Sequence, residues 1–130
     1  MKRLIFILSA LALLAACGKS NLTPQEKLAG SWHFDNVTIL GSLSAYDGTM
    51  AFDTCDSAWC TGQYIDSQNA TRTIWWSMDA EGQLLSLIDT TSSAGSWGGD
   101  WGVDRLTRRR LIIKRYSGLG EVRYQLTKDK

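Results

Sequence analysis

The stretch "RTIWWSMDAEGQLLSLID" (Arg72–Asp89) decides the fold. Its first half alternates, with Ile74, Trp76 and Met78 on one side of an extended chain and Thr73, Trp75 and Ser77 on the other, because successive side chains of a strand point to opposite faces. Ala80-Glu81-Gly82 then supplies turn residues, and "LLSLID" begins a second strand. Two adjacent tryptophans cannot both face inward on a regular strand. Trp76 therefore joins the core with Ile74 and Met78, while Trp75 faces outward, either covered by a neighbouring loop or open to a partner.

The same rhythm extends in both directions. "SWHFDNVTIL" (31–40) puts Trp32 and Phe34 on one face and then Val37 and Ile39 in the opposite phase, which predicts a bulge near Asp35-Asn36. Asp47-Gly48 reads as a hairpin turn. "TMAFDT" turns Met50 and Phe52 inward, and "WCTGQYID" follows a short cysteine loop. "GVDRL", "RLIIKRY" and "EVRYQLT" complete the series, the last with Val122, Tyr124 and Leu126 opposite Glu121, Arg123 and Gln125. About eight short strands with regularly spaced turns and no long helical period predict an all-β antiparallel meander. With one face apolar and one polar, it closes as a sandwich or a barrel. Transmembrane barrel strands need about nine to eleven residues and an apolar outer band. These runs are shorter, and Asp53, Lys114 and Arg123 recur on the outward face. Ahead of the strands, Thr23-Pro24-Gln25-Glu26 has a capping threonine, a proline at the first helical position and a glutamate three residues after the cap. That pattern starts a short helix, which Gly30 ends.

At the front, Lys2 and Arg3 precede an apolar run from Leu4 to Ala16, and small residues lead to Cys17. This is the layout of a secretory signal. The thirteen-residue run reaches about 20 Å as a helix, short of a hydrocarbon core of about 30 Å. Leu14-Ala15-Ala16-Cys17 resembles the bacterial lipobox, which implies cleavage before Cys17 and acyl chains on that residue. Two or three chains hold a small domain at a bilayer almost permanently. The expected organisation is a signal peptide over 1–16, a lipid-anchored tether over 17–22 and a β-domain over 23–130. The alternative is an ordinary cleaved signal with an incidental cysteine. Gly18 stands where the sorting pattern of such lipoproteins places a retaining aspartate, so the outer membrane is expected. Lys19-Ser20-Asn21 lacks an acidic display signal, which favours the periplasmic side.

Removing sixteen residues from 130 leaves 114, one domain's worth. Losing Lys2 and Arg3 takes the 14 basic residues to 12 against 13 acidic ones, a net of −1, which argues against nucleic acid as a partner. Cys55 and Cys60, in "CDSAWC", are expected to close a disulfide in an oxidising compartment, with free thiols or a metal site as alternatives. The metal reading is short of ligands: there is no second cysteine pair, and the single histidine, His33, is far away in sequence. The spacing is also wrong for a CxxC redox pair. No Gly-x-Ser-x-Gly elbow, phosphate loop or helical His pair is present, and Asp100 and Asp104 have no nucleophile to serve. A non-enzymatic, cofactor-free and metal-free monomer is expected.

"KLAGSWHFDNV", "DGTMAFD", "WWSMDAEGQLLSL" and "WGVDRLTRRRLIIKR", in that order, resemble the opening Gly-x-Trp segment and successive hairpins of small lipocalin-like domains found on bacterial lipoproteins. The resemblance spans most of Leu28 to Lys128. It implies an eight-stranded up-and-down antiparallel barrel whose interior is either filled by side chains or holds one small ligand. It also implies that Trp32 plugs the closed end beneath a late-strand arginine, with Arg123 the first candidate and Arg115 the second.

"TTSSAGSWGGDWG" (90–102) reads as a barrel-mouth loop whose Trp97 and Trp101 either stack on a ligand as a flap or pack over the open end. The expected function is a lipid-anchored envelope lipoprotein that binds a small apolar or amphipathic molecule, with Tyr64, Trp76, Met78, Trp97 and Trp101 near the pocket. Arg108-Arg109-Arg110 reads as a solvated hairpin tip or as a site for anions such as lipopolysaccharide phosphates. Two further functions are carried forward. "SGLGEVRY" resembles a Ser-Gly-x-Arg-Tyr stretch of lipoprotein lysozyme inhibitors, implying a periplasmic inhibitor; the other alternative is a structural envelope lipoprotein without a pocket.

Overall fold

A computed structural model of the chain describes residues 22–90, 96–118 and 120–129. The signal peptide, the lipidation residue Cys17 and nearly all of the tether lie outside the described residues. Helix α1 (Pro24–Leu28) leads into nine strands. These are β1 (Gly30–Ile39), β2 (Ser42–Ala45), β3 (Gly48–Phe52), β4 (Cys60–Asp66), β5 (Thr71–Met78), β6 (Leu84–Asp89), β7 (Gly99–Leu106), β8 (Arg110–Ser117) and β9 (Gly120–Lys128). Thr23 caps the helix by accepting the Glu26 N–H at 3.2 Å, as its sequence predicts.

The strands pair antiparallel in the order β2-β1-β3-β4-β5-β6-β7-β8-β9, and β1 pairs again with β9. Eight strands therefore close a barrel, with β2 as one extra strand. The closing seam skips a register position between Phe34 and Asn36. This is the expected bulge at Asp35, and it is why Trp32 and Phe34 and then Val37 all face inward.

Two boundaries differ from the sequence reading. The hairpin after β1 turns at Leu40-Gly41, both at positive φ (52° and 79°), as a two-residue turn between twisted strands requires. Asp47-Gly48 is instead the joint between β2 and β3, which share β1 as a partner: β2 takes Asn36–Ile39 and β3 takes Gly30–His33. Gly48 is buried there and leaves little room for a side chain, since a Cβ would lie 3.2 Å from the Ile65 carbonyl oxygen and 3.4 Å from the Tyr64 hydroxyl. Strand β7 starts at Gly99, earlier than Gly102, which places Trp101 inside the sheet opposite Leu85.

Inward residues from every barrel strand meet in one core. Trp32, Trp76, Trp101, Phe34, Met50, Ile74, Leu85, Leu111, Ile113 and Leu126 are essentially without solvent contact. Trp75 faces outward across from Ile88, and both are exposed. The two ends of the barrel differ. Helix α1, the cysteine loop, the Glu81-Gly82 turn and the Arg108-Arg109 tip gather at one end. The turns after β1, β4, β6 and β8 form the other, called the mouth below.

Candidate functional site

At the closed end, Trp32 acts as the plug. Its ring is fully buried and its Nε1–H donates to the Leu28 carbonyl at 2.7 Å. The cation over it is Lys128, whose Nζ lies 5.0 Å from the ring centroid and donates to the carbonyls of Lys27 (2.6 Å) and Ala29 (2.8 Å). These are carbonyls that a short helix leaves unpaired at its end. Arg123, expected in this place, is on the outer face, paired with Asp104 at 2.6 Å and Glu121 at 3.2 Å. Strand phase explains the correction: Tyr124, Leu126 and Lys128 share the inward face of β9, and Arg123 is on the opposite one. Arg115, the second candidate, does cover a tryptophan, but it is Trp101, at 4.1 Å.

The residues expected around a pocket separate into two groups. Trp76 and Met78 belong to the closed half. Trp76 is fully buried, contacts Phe52 edge-on at 5.5 Å and gives its Nε1–H to the Thr61 carbonyl at 3.0 Å. Cys55 and Cys60 form a disulfide in the same half, with Cα atoms 5.5 Å apart. Tyr64, Trp97 and Trp101 come together at the mouth.

Trp97 is the hub of that mouth. It stacks on Phe34 at 5.2 Å between centroids, meets Tyr124 at 4.9 Å and Tyr64 at 5.2 Å, and leans on Trp101 at 5.5 Å. Tyr46 joins through Phe34 at 5.1 Å and through a 2.7 Å hydroxyl contact with Tyr64. Aromatic pairs in such edge and offset geometries each contribute about 0.5–1.5 kcal/mol beyond area burial. Burial and the Tyr64 hydroxyl push the Tyr46 phenol well above its ordinary pKa, and burial also raises Tyr124.

Polar contacts hold the cluster from outside. Asp89, its side chain fully buried, accepts the Trp97 backbone N–H at 2.9 Å and the Arg72 Nε and Nη2 at 3.1 and 3.0 Å. Arg72 in turn lies 4.9 Å from the Tyr64 ring centroid. The Trp101 Nε1–H donates to the Trp97 carbonyl at 3.0 Å. The indole N–H of Trp97 itself is buried and has no partner among the described residues. Tyr46, Ser96, Trp97, Arg115 and Tyr124 line a cavity of about 60 Å³. At about 30 Å³ per water in the liquid, it suits one or two waters.

Phe34, Tyr46, Tyr124 and Arg115 are mouth residues that the sequence reading did not assign there. Phe34 and Tyr124 were legible as inward-facing, and Arg115 shares the phase of Leu111 and Ile113; Tyr46, on the joint between β2 and β3, carried no signal. The other candidates have local duties. Asp100 accepts the Ser86 hydroxyl at 2.7 Å, Asp104 pairs with Lys114 at 2.8 Å as well as with Arg123, and Arg108 to Arg110 form an exposed tip at the closed end. Among the described residues, no three His, Cys, Asp or Glu side chains converge as metal ligands would.

No model of a protein family matches the chain, and neither does any curated protein. Among solved structures, a lipocalin-like protein from Bacteroides uniformis matches with a TM-score of 0.54 at 16% sequence identity, covering 79% of this chain and 99% of that one. At that identity the likeness is one of fold.

Proposed function

We propose that the chain is a non-enzymatic, lipid-anchored lipoprotein of the bacterial envelope, whose barrel is packed solid in its closed half and receives a small apolar or amphipathic molecule at its aromatic mouth. The observation that carries this reading is the mouth cluster: six aromatic rings, of which Tyr46, Trp97 and Tyr124 line a small cavity, with the buried indole N–H of Trp97 unpaired among the described residues. Buried polar groups are nearly always paired, so an orphan donor next to a cavity suits a ligand or water acceptor. Tyr64, Trp97 and Trp101 remain as contact residues, joined by Phe34, Tyr46 and Tyr124; Trp76 and Met78 serve as packing. The fold likeness to a lipocalin-like protein agrees with a binding role but names no guest.

The anchor reading rests on the lipobox resemblance around Cys17, with the periplasmic side of the outer membrane as the expected address. Palmitate should label the wild-type chain and not Cys17→Ser; equal labelling removes the anchor. For binding, tryptophan emission of the full chain is titrated with lipids, haem and planar aromatics, and small molecules leaving with the native protein are identified by mass spectrometry. Trp97→Ala should alter affinity and Trp75→Ala should not. A silent panel together with an empty mass spectrum favours a second reading, a structural barrel without a guest. That reading is supported by the three fully buried tryptophans filling the interior.

A further inference from the structure

The ladder between β7 and β8 runs from Leu106–Leu111 to Gly102–Lys114 and stops there. Beyond that point, Gly99 to Trp101 pair only with β6, and Arg115 to Ser117 only with β9. The two strands part towards the mouth, and a cleft of about 420 Å³ occupies the gap, lined by Gly99, Asp100, Gly102, Lys114, Arg115 and Tyr116. Gly99 leaves its end of the cleft open: a Cβ there would have nothing within 4 Å except Arg115 Nη1, at 3.9 Å.

Arg115 borders both this cleft and the 60 Å³ mouth cavity. Its guanidinium spans the split, donating to the carbonyls of Gly98 at 3.1 Å and Ser96 at 3.2 Å while lying over the Trp101 ring. Among the described residues no carboxylate pairs with it, unlike Arg72, Lys114 and Arg123, which all have one. Neutral carbonyls are weaker acceptors than an oxyanion for a planar guanidinium, which suits bidentate carboxylate or phosphate recognition.

We infer that the β7–β8 split is a lateral access slot, and that the guest it admits is a small molecule bearing an anionic group that Arg115 takes and a planar apolar part that rests on Trp97, Tyr46 and Tyr124 around the mouth cavity. The inference deepens the mouth-binding reading proposed above and depends on it. Among the described residues Asp100 is the one carboxylate lining the slot and repels such a guest, and Lys114 beside it is already paired with Asp104.

The test titrates three probes matched in ring and length into the full chain: phenylacetate, 2-phenylethanol and 2-phenylethylamine. Tryptophan emission and calorimetry follow binding. Phenylacetate should bind about tenfold tighter than 2-phenylethanol, the value of one charge-assisted hydrogen-bond pair, and 2-phenylethylamine weaker than both. Arg115→Gln should erase that preference and leave 2-phenylethanol within about twofold of wild type. Asp100→Asn should tighten phenylacetate about two- to threefold. If Arg115→Gln does not fold, Asp100→Asn decides alone, and an unchanged phenylacetate affinity overturns the slot. Binding of all three probes without charge preference, or a preference surviving Arg115→Gln, overturns this inference and leaves the mouth reading standing. Binding of none overturns this inference, while the mouth reading falls only if the wider panel and the mass spectrum are silent as well.

Discussion

Replacing Lys128 by methionine tests the cation that lies over Trp32 against Arg123, which lies on the outer face. Methionine keeps the aliphatic stem over Trp32 but removes the ammonium group. The loss comprises the hydrogen bonds to Lys27 O and Ala29 O and the charge 5.0 Å from the Trp32 centroid. Charge-assisted hydrogen bonds contribute about 1.5–3 kcal/mol each and a cation over an aromatic face about 0.5–2 kcal/mol. Opposing them is the desolvation of a partly buried ammonium, which also pulls the Lys128 pKa below the ordinary lysine value. A net destabilisation of about 2 kcal/mol is expected, lowering Tm by about 8 °C for a domain of this size. Arg123→Gln removes a half-exposed ion pair with Asp104 and should change stability by about 1 kcal/mol or less. Guanidinium titration of both variants at constant m gives the comparison. A larger loss in Arg123→Gln, or a gain in Lys128→Met, would refute the assignment of the plug cation.

Reducing the Cys55–Cys60 disulfide, which closes a loop with a sequence separation of 5, should lower stability by about 2 kcal/mol; urea curves with and without reductant measure it. Gly62→Ala should destabilise by about 1–3 kcal/mol, because its Cβ would sit 2.5 Å from the Ala51 carbonyl oxygen, whereas Gly118→Ala meets nothing within 4 Å and should be silent in the same thermal melts. Alkali should unfold the mouth first. The Tyr46 pKa is raised above its unfolded value of 10.0, so its contribution is complete below that pH and drains away as pH rises from there towards the folded pKa. The stability of wild type relative to Tyr46→Phe should therefore fall as pH rises above about 10, and a flat difference would remove the effect.

Period-two alternation was enough to read Trp76 and Met78 as inside, Trp75 as outside and the phase reversal at Asp35, because strand facing is a local property. The same rule, applied one step further along β9, would have chosen Lys128 over Arg123, since an outward residue cannot lie over an inward ring. Strand β2 escaped detection because all four of its residues are exposed, so "SLSA" has no apolar face; it is a strand only because β1 outruns β3 and offers a partner. The mouth was least legible. Phe34, Tyr46, Tyr64, Trp97 and Tyr124 come from five separate segments, and no spacing between them forecasts that their rings converge. The segment of Trp97 reads as a mouth loop, but the anchor of its backbone, Asp89, reads as an ordinary strand-end acid.

The seam between β1 and β9 has a consequence in time. The Lys27–Lys128 hydrogen bond joins positions 101 residues apart, and a ribosome delivers β9 last among the strands. Until then β1 has a bare edge, the helix end is uncapped and the plug has no cation above it. Folds governed by such distant pairings assemble slowly, which makes a truncation that removes β9 a failure of the whole barrel rather than the trimming of one strand.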